Sequence, residues 1–195
     1  MKKLVLLVVI FTVAVGSSLG QDFKKFKVGI GIGYGQPSDG SGGILIYLEP
    51  AYRVMDQLSI GLRIESAAFL DKPISGTSIT TGAYGVGSYT LNGQYYFSNN
   101  NFRPFVGAGL GMFTVAAASA DLGSGSVTIN AATTLFGFYP RVGFDFGHFN
   151  FSIDYNILPA QTAQVDLGAL GIQTQTSNYT YIGIRLGASI GGGRK

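Results

Sequence analysis

A chain of 195 residues sets an expectation of one domain, large enough to bury a core of its own. Only 12% of it is charged, 46% is apolar and 30 residues are glycine, a balance that excludes a disordered chain and argues against nucleic acid as a partner. Cysteine is absent, which excludes disulfide frameworks, thiolate metal sites and thiol nucleophiles.

The chain starts with the basic run Met1-Lys2-Lys3, continues through Leu4 to Val15, apolar apart from Thr12, and reaches the small residues Gly16, Ser17, Ser18, Leu19 and Gly20. That order is the signature of a secretory signal, expected to be cleaved near Gly20 and to leave a mature domain over residues 21–195. The apolar run of 12 residues falls short of the ~20 that a membrane-spanning helix needs. Without Lys2 and Lys3 the mature chain carries 11 basic and 10 acidic residues, so its basic balance largely disappears.

From Phe26 onward, period-two alternation recurs to the end, as in strands with two unlike faces. The first strand sets Phe26, Val28, Ile30, Ile32 and Tyr34 against Lys27, Gly29, Gly31 and Gly33. The second, about Ile44 to Val54, sets Ile46, Leu48 and Tyr52 against Tyr47, Glu49, Ala51 and Arg53. The third follows at once, with Leu58, Ile60, Leu62 and Ile64 opposed to Ser59, Gly61, Arg63 and Glu65. The fourth, Tyr84 to Phe97, alternates Tyr89, Leu91 and Tyr95 with Ser88, Thr90, Asn92 and Gln94. The fifth, Phe102 to Val115, opposes Val106, Ala108, Leu110 and Met112 to Arg103, Gly107, Gly109 and Gly111. Phe136, Phe138, Val142, Phe144 and Phe146 mark the sixth against Gly137, Tyr139, Arg141, Gly143 and Asp145. The seventh sets Phe149, Phe151, Ile153, Tyr155 and Ile157 against Asn150, Ser152, Asp154 and Asn156. The eighth sets Ile182, Ile184, Leu186, Ala188 and Ile190 against Tyr181, Gly183, Arg185, Gly187 and Ser189.

Connections after the odd strands are long, about Gly35 to Gly42, Leu70 to Thr81, Ala116 to Asn130 and Leu158 to Ser177, and read as solvated loops. Those after the second, fourth and sixth are short, around Met55-Asp56-Gln57, Ser98 to Asn101 and Gly147-His148. An even number of strands with short turns on one rim and long loops on the other predicts an all-β, eight-stranded antiparallel up-and-down transmembrane barrel. Pro50, Pro104 and Pro140 fall within these strands and predict bulges or strand ends, because proline withholds a ladder donor.

Ten ionisable residues lie within the strands, all on the glycine and serine parity: Lys27, Glu49, Arg53, Arg63, Glu65, Arg103, Arg141, Asp145, Asp154 and Arg185. The lumen of an eight-stranded barrel is only wide enough to be filled by side chains or one small ligand, so it has no room for the bulky parity. Glycines and charges are therefore expected inside and aromatics outside, with Tyr34, Tyr52, Tyr95, Phe97, Phe102, Phe146 and Phe149 as girdles near the strand ends. Hairpin register places Glu49 opposite Arg63 and Arg141 opposite Asp154, and ion pairs are expected there.

At Arg103-Pro-Phe-Val-Gly-Ala-Gly-Leu-Gly111 and Tyr181-Ile-Gly-Ile-Arg-Leu-Gly-Ala-Ser-Ile190 the chain resembles the small bacterial outer-membrane β-barrels of the OmpA transmembrane-domain and OmpX kind, a porin-like group. The resemblance spans Phe26 to Ile190. It implies a monomer in the bacterial outer membrane with a structural, adhesive or envelope-integrity role and no cofactor. Its partners would be outer-membrane lipids, the outer-membrane assembly machinery and an unknown surface ligand at the long loops. Two departures stand out: the last strand ends on Ile190 rather than an aromatic and is followed by a Gly191 to Lys195 tail, and no peptidoglycan-binding domain is expected after it.

For the ten lumen residues the first expectation is a polar network that fills the barrel, and the alternative is a narrow porin-like channel for small solutes whose selectivity they set. A more remote alternative is a membrane-embedded lipid-modifying enzyme using His148 with Ser152, although His148 belongs to a short turn away from displayed lipid. Glu49 and Glu65 are explained better by pairing than by acid and base work. Gly29-Ile-Gly31-Ile-Gly33 and Gly107-Ala-Gly109-Leu-Gly111 look like phosphate loops, but their strict spacing of two and the lack of a following helix fit lumen packing. Phe23 to Lys27 read as a solvated, basic strand start with an attraction to phosphate headgroups. No metal-ligand constellation is legible.

Overall fold

The computed structural model describes residues 22–70, 80–121, 126–129, 132–166 and 172–193. The expected signal at residues 1–20 lies outside them, as does most of the connection after the third strand. The strands are β1 (Phe26–Pro37), β2 (Ser41–Met55), β3 (Leu58–Leu70), β4 (Thr80–Tyr96), β5 (Phe102–Asp121), β6 (Ser126–Ile129), β7 (Thr133–Phe146), β8 (Phe149–Asn156), β9 (Gln161–Asp166), β10 (Ile172–Ser177) and β11 (Tyr181–Gly191). Eight of them, β1, β2, β3, β4, β5, β7, β8 and β11, each pair with two neighbours and form a closed antiparallel barrel in up-and-down order. The ring closes where β1 meets β11, from Lys27↔Gly191 to Pro37↔Tyr181. No helix is present among the described residues.

The parity is that of the sequence pattern. Ile32, Ile44, Phe136 and Ile190 point outward and are each more than 60% exposed, whereas Arg63 and Arg185 on the other parity are fully buried. All seven expected girdle aromatics lie on the outer face. Around the short-turn rim outward aromatics form edge contacts, Tyr52 with Phe26 at 5.2 Å and Tyr95 with Phe97 at 5.6 Å between ring centroids. Thr114 and Thr134 meet through their hydroxyls at 3.1 Å on β5 and β7, where the outer surface turns from apolar to polar.

Three features differ from expectation. The prolines neither bulge nor end their own strands, since Pro50 pairs with Val28, Pro104 with Phe144 and Pro140 with Ala108 in unshifted registers. On the opposite side the ladder is interrupted at Pro50 and stops beside Pro104, at Tyr96↔Phe105, and beside Pro140, at Arg141↔Asp154. A proline removes one donor on one side, so each strand keeps its ladder with one neighbour; Phe97 N–H still donates to the Pro104 carbonyl at 3.0 Å. The bulges of the second hairpin lie instead between Ser41 and Gly43 and between Arg53 and Met55. The long connections also contain more pairing than a solvated loop: β1 and β2 are separated only by Ser38, Asp39 and Gly40, β6 folds back on the end of β5, and β9 with β10 forms a separate two-stranded sheet. Gly40, at φ 115°, occupies a conformation that favours glycine in that tight connection.

Finally, not every aromatic faces outward. Leu45, Ala67, Phe69, Tyr84, Val86, Phe113, Val115, Leu135, Tyr139, Leu158 and Tyr181 form a buried cluster inside the long-loop half of the barrel.

Candidate functional site

The lumen is built in three layers, because each strand places alternate residues inward and the inward residue type changes along the strand. The middle layer is ionic. Arg185 grips Glu65 with two parallel bonds, Nε to Oε2 at 2.6 Å and Nη2 to Oε1 at 2.8 Å, and its Nη1 donates to Asp154. Arg63 Nη1 donates to Asp154 Oδ2 at 2.7 Å, its Nε lies 3.7 Å from Glu65 Oε2, and its guanidinium sits 3.9 Å from the centroid of the Tyr139 ring. Tyr181 supplies a further hydroxyl to Glu65 at 2.9 Å. Arg63, Glu65, Asp154 and Arg185 thus form a charge-balanced square whose side chains have no solvent exposure.

Next to it, Arg141 donates from Nη1 to both oxygens of Glu49, at 2.9 and 2.7 Å, and from Nη2 to Ser152 Oγ at 3.1 Å. Gln94 donates to Glu49 at 2.6 Å. Toward the short-turn rim, Lys27 is paired with Asp145, whose carboxylate also accepts from Tyr96 at 3.0 Å and Asn150 at 2.5 Å.

Register and ion pairing part company here. The pairs Leu48↔Ile64 and Ala51↔Gly61 bracket Glu49 and Arg63 as opposed residues, and Arg141↔Asp154 are paired directly. Yet neither expected ion pair forms: Glu49 takes Arg141 and Arg63 takes Asp154. In the eight-strand ring, β2 and β7 stand opposite each other, as do β3 and β8. Long arginines in a narrow lumen reach across it, so these bonds brace the barrel along two diameters rather than stapling neighbours.

The other layers close the ends. On the long-loop side the Phe69 ring lies 5.1 Å from Tyr84 and 5.3 Å from Tyr181 within the apolar cluster. On the short-turn side Phe23, expected in a solvated start, is buried in the barrel mouth. Its backbone N–H and that of Asp22 donate to the Asp56 carboxylate at 3.3 and 3.1 Å, and the Arg103 and Arg53 guanidinia lie 4.1 and 4.7 Å from its ring centroid. Neither arginine has an ion-pair partner among the described residues. Arg53 Nη1 donates to the Gly192 carbonyl at 2.8 Å, Arg103 Nε to the Ser98 carbonyl at 3.1 Å, and Arg103 also donates to the Asp56 carbonyl. The tail after Ile190 turns into this mouth through Gly191 and Gly192, at φ 77° and 66°, and Lys24 N–H donates to the Gly193 carbonyl at 2.9 Å.

His148 and Ser152 do not meet. His148 Nδ1 lies 2.9 Å from the Ser189 carbonyl on the exposed rim, a geometry in which Nδ1 carries the proton, while Ser152 is buried and held by Arg141. Among the described residues no group of three or more His, Asp or Glu side chains is placed to hold a metal ion. Sequence reasoning passed over Gln94, Tyr96 and the apolar cluster as site residues; the change from Glu, Ser and Thr to Leu45, Phe69, Val86, Phe113 and Leu135 on one parity was the available signal.

No family model matches the chain, and no curated protein matches it in sequence. Among solved structures it is similar to the Neisserial surface protein A, NspA, with 16% identity and a TM-score of 0.54 over 85% of this chain and 96% of that one. It is also similar to the outer membrane protein OprG of Pseudomonas aeruginosa, with 15% identity and a TM-score of 0.53 over 88% and 98%. The chain therefore shares the closed, eight-stranded antiparallel barrel fold of these outer-membrane proteins.

Proposed function

We propose that the protein is a monomeric barrel of the bacterial outer membrane with a closed lumen, and that its role is structural or surface-interacting, exercised by the long-loop rim. The observation that carries this reading is the fully buried square of Arg63, Glu65, Asp154 and Arg185 spanning the lumen, with an apolar cluster on one side and Phe23 on the other. A conducting pore needs a continuous wet path, and charges with no exposure do not line one. The outer face supports the membrane location: Ile30, Ile32, Ile46, Leu110, Met112 and Phe138 are each more than half exposed, a continuous apolar surface that would drive association in water. Lipids would cover it, and the assembly machinery would insert it after removal of residues 1–20. Short turns then face the periplasm and the extended hairpins face outward. No catalytic role is assigned, since Glu49 and Glu65 are held by arginines and His148 by a backbone carbonyl.

Folded protein in a planar bilayer is expected to show no conductance steps. Reproducible steps that change when Arg63 is replaced by glutamine would overturn the closed-lumen reading. A companion test replaces Gln161–Ser177 with a two-residue turn and follows heat-modifiable migration together with adhesion of cells bearing the protein. The barrel should still fold because β9 and β10 pair only with each other, and surface interaction should fall. Unchanged adhesion would move the role away from that hairpin.

A further inference from the structure

We propose that the short-turn mouth of the barrel is a binding site for a single oxyanion, a phosphate or carboxylate group, gripped by Arg53 and Arg103. This goes beyond the closed-scaffold reading, since it concerns only the rim.

Among the described residues six basic side chains lie inside the barrel, and four of them, Lys27, Arg63, Arg141 and Arg185, are paired with carboxylates. Among the described residues Arg53 and Arg103 have no such partner, although they are only 2% and 4% exposed. Both guanidinia also lie near the Tyr96 ring, at 5.9 and 4.2 Å, so two like charges share one small space between Tyr96 and Phe23. The carboxylates that could answer them are engaged. Asp145 is taken by Lys27, Tyr96 and Asn150, and Asp56 accepts the backbone N–H groups of residues 22 and 23.

Both arginines are held by carbonyl oxygens and have no carboxylate in ion-pair contact among the described residues, more cationic than a structural plug requires, because burying cations without paired counter-charges is costly. The Nε of Arg53 is buried and has no acceptor at all. A cavity of about 310 Å³ opens beside it, lined by both arginines together with Asn99, Asn100, Asn101, His148 and Asp145, whose charge Lys27 answers. Planar guanidinium groups with donors to spare beside such a cavity match the oxygens of a phosphate or carboxylate. The carbonyl contacts from Gly192, Ser98 and Asp56 fix the two forks in place without neutralising them.

The test uses inorganic phosphate as probe. The protein is folded in detergent micelles and phosphate is titrated at constant ionic strength against sodium chloride, with the arginine Nε–H resonances followed by NMR. The expected result is a saturating shift at Arg53 and Arg103 with Arg185 unmoved. Arg53→Gln should weaken binding at least about tenfold, the loss of one charge-assisted contact. If that variant does not fold, Asn99→Asp, a rim-turn change that adds a negative charge to the wall, should weaken phosphate likewise. Shifts that never saturate, that chloride reproduces, or that neither variant alters would overturn the site. Nanodiscs then separate the sources: perturbation of the same resonances by phosphatidylglycerol and not phosphatidylcholine assigns the oxyanion to a lipid headgroup, and perturbation by free phosphate alone assigns it to a soluble anion.

Discussion

Arg185→Met is expected to destabilise the folded barrel by about 3–5 kcal/mol, the range for removing one partner from a buried ion pair. Arg185 makes three charge-assisted contacts, two to Glu65 and one to Asp154, and none of the three side chains is exposed. Without it the square holds two carboxylates against the single cation Arg63, and the surplus negative charge has no water to turn to. Adding Glu65→Gln restores balance by leaving the Arg63–Asp154 pair at 2.7 Å intact. The double variant should therefore be more stable than the sum of the single changes implies, with a coupling of about 1–3 kcal/mol. Urea unfolding of the four proteins in one detergent measures this directly. Strict additivity would mean that the charges are individually solvated, as in a wet pore, and would count against the closed lumen as well as against the pairing.

Much of this barrel was legible in the sequence because a strand pleat is a local rule. Glu49 lies inside because Leu48 and Pro50 lie outside, whatever the rest of the chain does, and the same logic placed all ten charges on one face. Turn length was equally local: the two-residue Gly147-His148 connection set Asp145 against Asn150 and Arg141 against Asp154, as the register has it. Ion-pair choice was not legible, because it depends on which strands stand across the ring. Arg63 belongs to β3 and Asp154 to β8, and 91 residues separate them. Sequence spacing offers no measure of that distance; ring order does.

The end closures escaped for a related reason. Phe23 precedes the first alternating stretch, so no pleat rule applies to it, and its burial comes from two arginines and the Asp56 carboxylate on other strands and turns. Leu45, Phe69 and Phe113 do obey the parity, but they break the simpler equation of inner parity with polarity. A lumen that is ionic in the middle and apolar toward the long loops resists water better than a uniformly polar one. Its apolar layer shields the arginine square from the loop side, and the low local polarity strengthens each contact within it.

The seam between β1 and β11 is the pairing that closes the ring, and it holds the second large expected effect. Gly31 faces Gly187 across this seam, and the Tyr47 ring from β2 covers both. A Cβ on Gly31 would stand 2.7 Å from Tyr47 Cε1 and 2.7 Å from Gly187 Cα, and it would also meet the Leu186 carbonyl. The ring could swing aside, but the β11 backbone could not without parting the seam. Gly31→Ala is therefore expected to destabilise the barrel by about 1–3 kcal/mol, as overpacking does, and Gly31→Val by more. Gly87→Ala is the internal control, since a Cβ there meets nothing within 4 Å and the smaller conformational freedom of alanine favours the folded chain slightly. Tyr47→Leu should relieve only part of the Gly31→Ala damage, because it removes the ring clash and leaves the backbone one. Urea midpoints and the heat-modifiable fraction after refolding report all of these. Equal behaviour of the Gly31→Ala and Gly87→Ala variants would mean that the two strands do not approach as closely as the Gly31–Gly187 contact requires.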